Sequence, residues 1–341
     1  MIRQLTFGPH INHPTYFLQS SFFPGDRELF FTSYRTGEAQ LLAIALDSGE
    51  IRQLTHGAPI HPYSAALHPD GKTIVVTRGG GLWAGERRIA ELPGGQLGEG
   101  SISRDGEWLT AAFQAGADRG LLVTRFDGSG QVVIPFPRTV IHPQFHPLEP
   151  EWIEFSGDPA PRMHRVRRDG SGLECLYQHG NDEFIVHETF LGATGDLVYT
   201  VWPLAVRRMD WTTRETRTIA DFNAWHIAPD RAGRRVLCDT NHPDRGLHII
   251  DAETGTVRHL CDSLSSNQGT QWRQSRYALA EDFAQARNTL SWMENAADTV
   301  YGPQHTHPHP SWSTAETLVA FASDRTGVTQ VYVADVPAQP S

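Results

Sequence analysis

Leu67-His68-Pro69-Asp70-Gly71, followed by Thr73-Ile74-Val75-Val76, decides the fold because of what it repeats. An apolar residue enters a turn rich in Pro, Asp and Gly, residue types whose fixed or permissive φ angles suit tight reversals. The chain leaves the turn as a short β-branched run. The same order recurs at Phe23-Pro24-Gly25-Asp26 before Leu29-Phe30-Phe31 and at Ile102-Ser103-Arg104-Asp105-Gly106 before Trp108-Leu109. It returns at Phe145-His146-Pro147, Phe190-Leu191-Gly192, Ile227-Ala228-Pro229-Asp230 and Trp312-Ser313-Thr314, which makes seven units.

Several units continue into a strand that ends in Asp and a Gly turn, as in Ala43-Ile44-Ala45-Leu46-Asp47-Ser48-Gly49 and Leu247-His248-Ile249-Ile250-Asp251-Ala252-Glu253-Thr254-Gly255. These are hairpin signals. Repeats of about 35 to 45 residues made of short antiparallel strands are propeller blades, four-stranded sheets that bury their faces only against neighbours. The expectation is an all-β chain, with residues 1–341 forming a single seven-bladed β-propeller.

Closure leaves its own trace. Ile2-Arg3-Gln4-Leu5-Thr6-Phe7-Gly8 nearly duplicates Ile51-Arg52-Gln53-Leu54-Thr55-His56-Gly57, the outermost strand of the first full blade. The N-terminal strand is therefore expected to complete the last blade, beside Val331-Tyr332-Val333-Ala334-Asp335. One interval is long: Ile227 and Trp312 lie 312 − 227 = 85 residues apart. The excess, with Tyr277-Ala278-Leu279-Ala280-Glu281-Asp282-Phe283-Ala284-Gln285-Ala286-Arg287, has a helix-like composition, and a helical or loop excursion is expected at about 265–300.

A hydrophobic fraction of 39% with 31 Gly and 22 Pro fits short strands and many turns. No run approaches the roughly 18 apolar residues of a membrane helix, and Met1-Ile2-Arg3-Gln4-Leu5-Thr6 lacks the order of a signal peptide, so a cytoplasmic protein without membrane contact is expected. Cys175, Cys238 and Cys261 include no CxxC pair and read as reduced, partly buried thiols. A net charge of −10 argues against a nucleic-acid partner. An anionic substrate must then be met by a local cation or metal. The sequence carries no signal for an oligomeric state.

Seventeen His is the compositional outlier. The innermost strand of a blade lines the central channel. His142, His187 and His309 each lie three residues before an apolar repeat residue, and His226 directly precedes Ile227, so four blades aim a histidine at the axis. In Gln304-His305-Thr306-His307-Pro308-His309-Pro310, His307 and His309 share a face if the segment is a strand. The two prolines stiffen it. Imidazoles with an amide oxygen from Gln304 and no cysteine suit a divalent ion such as Mn²⁺ better than Zn²⁺.

At these residues the sequence resembles the oligogalacturonate lyases, a polysaccharide lyase family with a seven-bladed propeller and a Mn²⁺ site. Thr306-His307-Pro308-His309-Pro310-Ser311-Trp312, with Ser323-Asp324 and Tyr332-Val333-Ala334-Asp335, is similar to that family's last blade. Tyr16-Phe17-Leu18-Gln19 followed by Phe22-Phe23 is similar to its first. The resemblance implies metal ligands at His226, Gln304, His307 and His309. His226 is preferred to His242 for its spacing to the turn residue Gly233. The resemblance further implies a catalytic base at His187, in His187-Glu188, and a catalytic arginine 25 residues upstream at Arg162. His142, Gln19 and Tyr16 become candidate substrate contacts. The implied substrate is a small acidic oligosaccharide of uronate units, cleaved by β-elimination in pectin degradation. The alternatives are a noncatalytic propeller similar to periplasmic or peptidase-associated ones and a metal-dependent hydrolase using the same histidines.

Overall fold

The computed structural model describes residues 1–180, 182–241, 243–267 and 304–338, with only the backbone of Gln304. Among these residues, seven four-stranded sheets are formed, each antiparallel. Six of them run through consecutive strands, and the seventh takes its fourth strand from the N-terminus. The seven-bladed propeller expected from the repeat is the fold found.

The first strand of a blade is buried, as in Thr139–Phe145 and Ile185–Phe190, whereas the fourth is largely exposed, as in Thr216–Ala220. Apolar residues from neighbouring blades fill the space between sheets. Ala112 and Leu121 pack with Phe155 and Val166 between the third and fourth blades. Leu237 and Leu247 pack with Val319 and Phe321 between the sixth and seventh. Arginines bridge the outer seams by lying over indoles: Arg168 over Trp108, Arg165 over Trp152 and Trp211, and Arg235 over Trp312. Such contacts add to the burial energy through the ring quadrupole.

The ring closes as its duplicated sequence requires. Ile2, Arg3 and Gln4 pair with Ala334, Val333 and Tyr332, and Phe22, Leu29 and Leu42 of the first blade pack on Ala320, Val331 and Val333 of the last. The duplicated threonines make the same bonds twice. Thr6 Oγ1 donates to Gln330 Oε1 at 2.7 Å and accepts from Val331 N at 2.9 Å. Thr55 Oγ1 donates to Gln40 Oε1 at 2.7 Å and accepts from Leu41 N at 2.8 Å. Thr6 is fully buried, so Thr6→Val leaves the Val331 amide without its acceptor and Gln330 Oε1 with Asn12 Nδ2 as its remaining donor. We expect it to lower unfolding free energy by about 1–3 kcal/mol in urea titrations, at the seam that shuts the ring.

The excursion expected at about 265–300 lies outside the described residues from position 268 onward, as does His242. Cys238 and Cys261 are buried and Cys175 half-buried, all three as free thiols. No helix among the described residues is long and apolar enough to cross a membrane.

Candidate metal centre

The inner strands bend where the histidines sit. In Thr139–Phe145 the register slips between Ile141 and Gln144, and in Ile185–Phe190 between Val186 and Thr189. His142 and His187 occupy these bulges with φ of 56° each, and His309 adopts φ 42° ahead of its strand. L-residues rarely hold such a conformation, and it costs on the order of 1–3 kcal/mol each. A bulge re-aims a side chain that the pleat would otherwise point into the sheet. Three blades thus use the same backbone device to turn an imidazole toward the axis.

His307 and His309 do not lie on a strand, contrary to the expectation from their spacing. They fall between a 3-10 turn, Gln304–Thr306, and the strand Ser311–Trp312. Proline supplies the reason, since Pro308 and Pro310 have no N–H to give a ladder. The Pro308 carbonyl accepts from Ala322 N at 2.8 Å and anchors the segment to the blade. The rings meet nonetheless. One ligand-capable atom from each of His226, His307 and His309 lies within 4.8 Å of the others. The His226 ring centroid is 4.1 Å from that of His309 and 5.6 Å from that of His307.

All three side chains are fully buried. His226 Nε2 and both ring nitrogens of His309 have no hydrogen-bond partner. A buried polar atom without a partner costs about 1–3 kcal/mol, and several together mark a place built for something they bind. Burial, followed by mutual repulsion among the imidazoles, holds the pKa values of His226 and His309 well below the ordinary histidine range. Neutral imidazoles are the metal-binding form. The Trp225 indole N–H donates to His307 Nδ1 at 3.3 Å.

Asp239 is the residue that sequence reasoning missed. Its carboxylate accepts from His226 N at 2.7 Å and lies 2.8 Å from His226 Nδ1, which directs Nε2 inward. Burial raises the Asp239 carboxyl to about 7, against the opposing bond from the His226 amide. The pairing of Ile227 with Cys238 sets Asp239 beside His226. Hairpin register was thus the signal that could have found it.

Beside this triad stands His187, its ring 4.4 Å from His226 and 4.6 Å from Trp225, with Nδ1 buried and unpartnered. Burial first, then His226, His142 and Arg162, push its pKa well below the usual value. Arg162 is buried and engaged by two carboxylates. Its Nε and Nη2 donate to Glu188 at 2.9 and 3.3 Å, and Nη1 donates to Asp158. Burial alone would raise Glu188, but Arg162 holds it well below the carboxylate range, while burial and the Glu188 charge push Glu154 well above it. Removing one member of a buried ion pair strands the other. Glu188→Ala is therefore expected to cost about 3–5 kcal/mol of stability by chemical denaturation.

The loop after the first inner strand reaches the same place. Tyr16 lies 5.0 Å from His309 and Phe17 5.2 Å from His187, ring to ring. The Tyr16 hydroxyl is 3.0 Å from His142 Nε2. Gln19 closes the loop through its backbone, its N–H donating to the Tyr16 carbonyl at 2.9 Å and its own carbonyl accepting from Thr15 Oγ1 at 2.9 Å. Of the residues named from the sequence, His142, His187, His226, His307, His309 and Tyr16 therefore converge. Arg162 stands behind them, joined through Glu188, which borders His142. The Gln304 side chain lies outside the described residues.

No protein-family model matches the chain. It is 19% identical to the oligogalacturonide lyase of Pectobacterium atrosepticum over 381 aligned positions, covering 96% of this chain and 91% of that protein. An oligogalacturonate lyase solved in complex with manganese superposes with a TM-score of 0.82 at 18% identity, over 98% of this chain and 93% of the other. An oligogalacturonate lyase from Vibrio parahaemolyticus gives 0.79 at 19% identity, over 98% and 93%.

Proposed function

We propose that this chain is a metal-dependent carbon–oxygen lyase that cleaves oligogalacturonate, or a closely related uronate oligomer, by β-elimination. The observation that carries the reading is the meeting of His226, His307 and His309, with His226 Nε2 and both His309 ring nitrogens buried and unpartnered. The end-to-end similarity to oligogalacturonate lyases, one of them holding manganese, supports it. We assign Mn²⁺ as the ion, held by the three histidines with Gln304 as a further donor, because imidazole and amide donors without thiolate suit it.

A uronate carries an acidified proton on C5, beside its carboxylate, and a leaving oxygen on C4. When bound, the metal supplies positive charge to the carboxylate and to the enolate-like charge that grows as the C–H bond breaks. His187 is the base: it is neutral, its Nδ1 has no competing partner, and its ring touches His226. Arg162 keeps a fixed positive charge near His187. Asp158 and Glu188 hold its guanidinium in one orientation behind His142 and His187. His142 and Tyr16 shape the wall against which the sugar rests.

The products test the reaction class. Elimination splits the chain without taking up water and leaves a 4,5-unsaturated uronate, whereas a hydrolase adds one water per cut. Mass spectrometry of digested oligogalacturonate is expected to show fragments lacking that water, and fragments carrying it would contradict the proposal. A noncatalytic scaffold has no need for three unpaired imidazole nitrogens in its core, which disfavours that alternative. Among the described residues, the carboxylate that meets the triad, Asp239, binds His226 rather than joining the ligand cluster, which disfavours a carboxylate-ligated hydrolase. A cytoplasmic location goes with this reading, since buried free thiols suit a reducing compartment.

A further inference from the structure

Removing the C5 proton is half of an elimination. The oxygen leaving C4 also departs with a full charge unless a proton meets it, and no group named above supplies one. We propose that Tyr16 is the general acid that protonates the departing glycosidic oxygen, with His142 returning the proton and Glu188 orienting His142. This inference rests on the lyase reading.

The geometry is that of a relay. The Tyr16 ring lies against His309 at 5.0 Å and His226 at 5.9 Å, between two imidazoles of the triad. Its hydroxyl, however, meets neither of them and sits 3.0 Å from His142 Nε2. On the other side of that imidazole, Nδ1 lies 3.4 Å from Ser156 Oγ and 3.7 Å from the Glu188 carboxylate. Ser156 Oγ donates to Glu188 Oε2 at 2.6 Å, fixing the carboxylate that faces Nδ1. The His142 amide donates to Glu99 Oε2 at 2.9 Å, which holds the bulge that aims the ring. A hydroxyl, an imidazole and a buried carboxylate reached through Ser156 form a proton-handling arrangement in which Ser156 and Glu188 face the second nitrogen of the imidazole.

Phe17 shows that packing alone does not explain the hydroxyl. It is the next residue, equally buried, and fills the space beside His187 and His226 with no polar atom. The loop itself is held at its base, where Thr15 Oγ1 and N both meet Ser21 Oγ, at 2.7 and 3.0 Å. Tyr16 is therefore presented by a fixed turn.

The step balances as follows. His187 takes the C5 proton, and the C5–H electron pair becomes the C4=C5 π bond. The C4–O4 bond breaks, its pair staying on oxygen, which takes the Tyr16 hydroxyl proton. The Tyr16 oxyanion then takes back a proton relayed from solvent through His142 Nε2. His187 releases one proton to solvent and His142 regains one, so no water is consumed.

The test is Tyr16→Phe, assayed on oligogalacturonate and on a uronate carrying a nitrophenyl ether at O4, whose leaving group needs no proton. General acid catalysis is worth about 10²–10⁴-fold. We expect Tyr16→Phe to lose kcat by that factor on oligogalacturonate with KM within a few-fold of wild type. On the aryl ether it is expected to stay within a few-fold of wild type, which also shows the variant folded and metal-loaded. His187→Ala, by contrast, is expected to fall on both. Equal losses of Tyr16→Phe on the two substrates, or no loss on oligogalacturonate, would overturn the assignment. Failure of the wild type to form unsaturated product from either substrate would overturn the lyase reading and this inference with it.

Discussion

His187→Ala is expected to lower kcat on oligogalacturonate by about 10²–10⁴-fold while leaving metal content and fold intact. The bulge between Val186 and Thr189 and the positive φ of His187 place this one imidazole outside the ladder. Burial and the neighbouring His226, His142 and Arg162 keep it neutral. Its Nδ1 lacks a partner that would hold the lone pair. Every one of these conditions favours a proton acceptor. A side chain kept only for packing against Trp225 and Phe17 would instead lose stability on truncation and spare kcat. Kinetics, thermal melting and metal analysis of one preparation separate the two roles.

The second large effect concerns the triad. His309→Ala removes a side chain whose two ring nitrogens are both buried and unpartnered. It is expected to abolish metal retention on dialysis and activity with it. Asp239→Asn is expected to be milder in an informative way. The carboxylate touches His226 Nδ1 and leaves Nε2 free of it, and groups that support a metal ligand in this way tune metal affinity about 10–100-fold. Activity of Asp239→Asn should therefore return with excess Mn²⁺, whereas that of His309→Ala should not. Anomalous scattering from crystals grown with Mn²⁺ would locate the ion, and a peak away from His226, His307 and His309 would contradict the assignment.

Much of this was legible in the sequence because propeller blades repeat. Seven turn signals fixed the architecture, and the copy of Ile2–Gly8 at Ile51–Gly57 fixed the closure, down to Thr6 and Thr55 making matched bonds. Histidine register within the repeat picked out His142, His187, His226 and His309, since equivalent positions in a ring converge. What did not show was anything carried by contacts across the repeat. Asp239 faces His226 through a hairpin partner, and Glu188 gathers Arg162, Ser156 and His142 from another blade. His307 and His309 meet without the strand alternation that would place them on one face, because Pro308 and Pro310 forbid a ladder there. The positive φ of three histidines has no sequence signature of its own, since Gly and Asn are the residues that normally mark it.

The most direct test follows the ultraviolet absorbance of the unsaturated uronate during incubation with oligogalacturonate. The protein is stripped of metal by chelation and then given back Mn²⁺. Absorbance is expected to rise with the metal present and to stop when it is removed. No rise with any uronate oligomer, or a rise indifferent to the metal, would contradict the metal-dependent lyase reading.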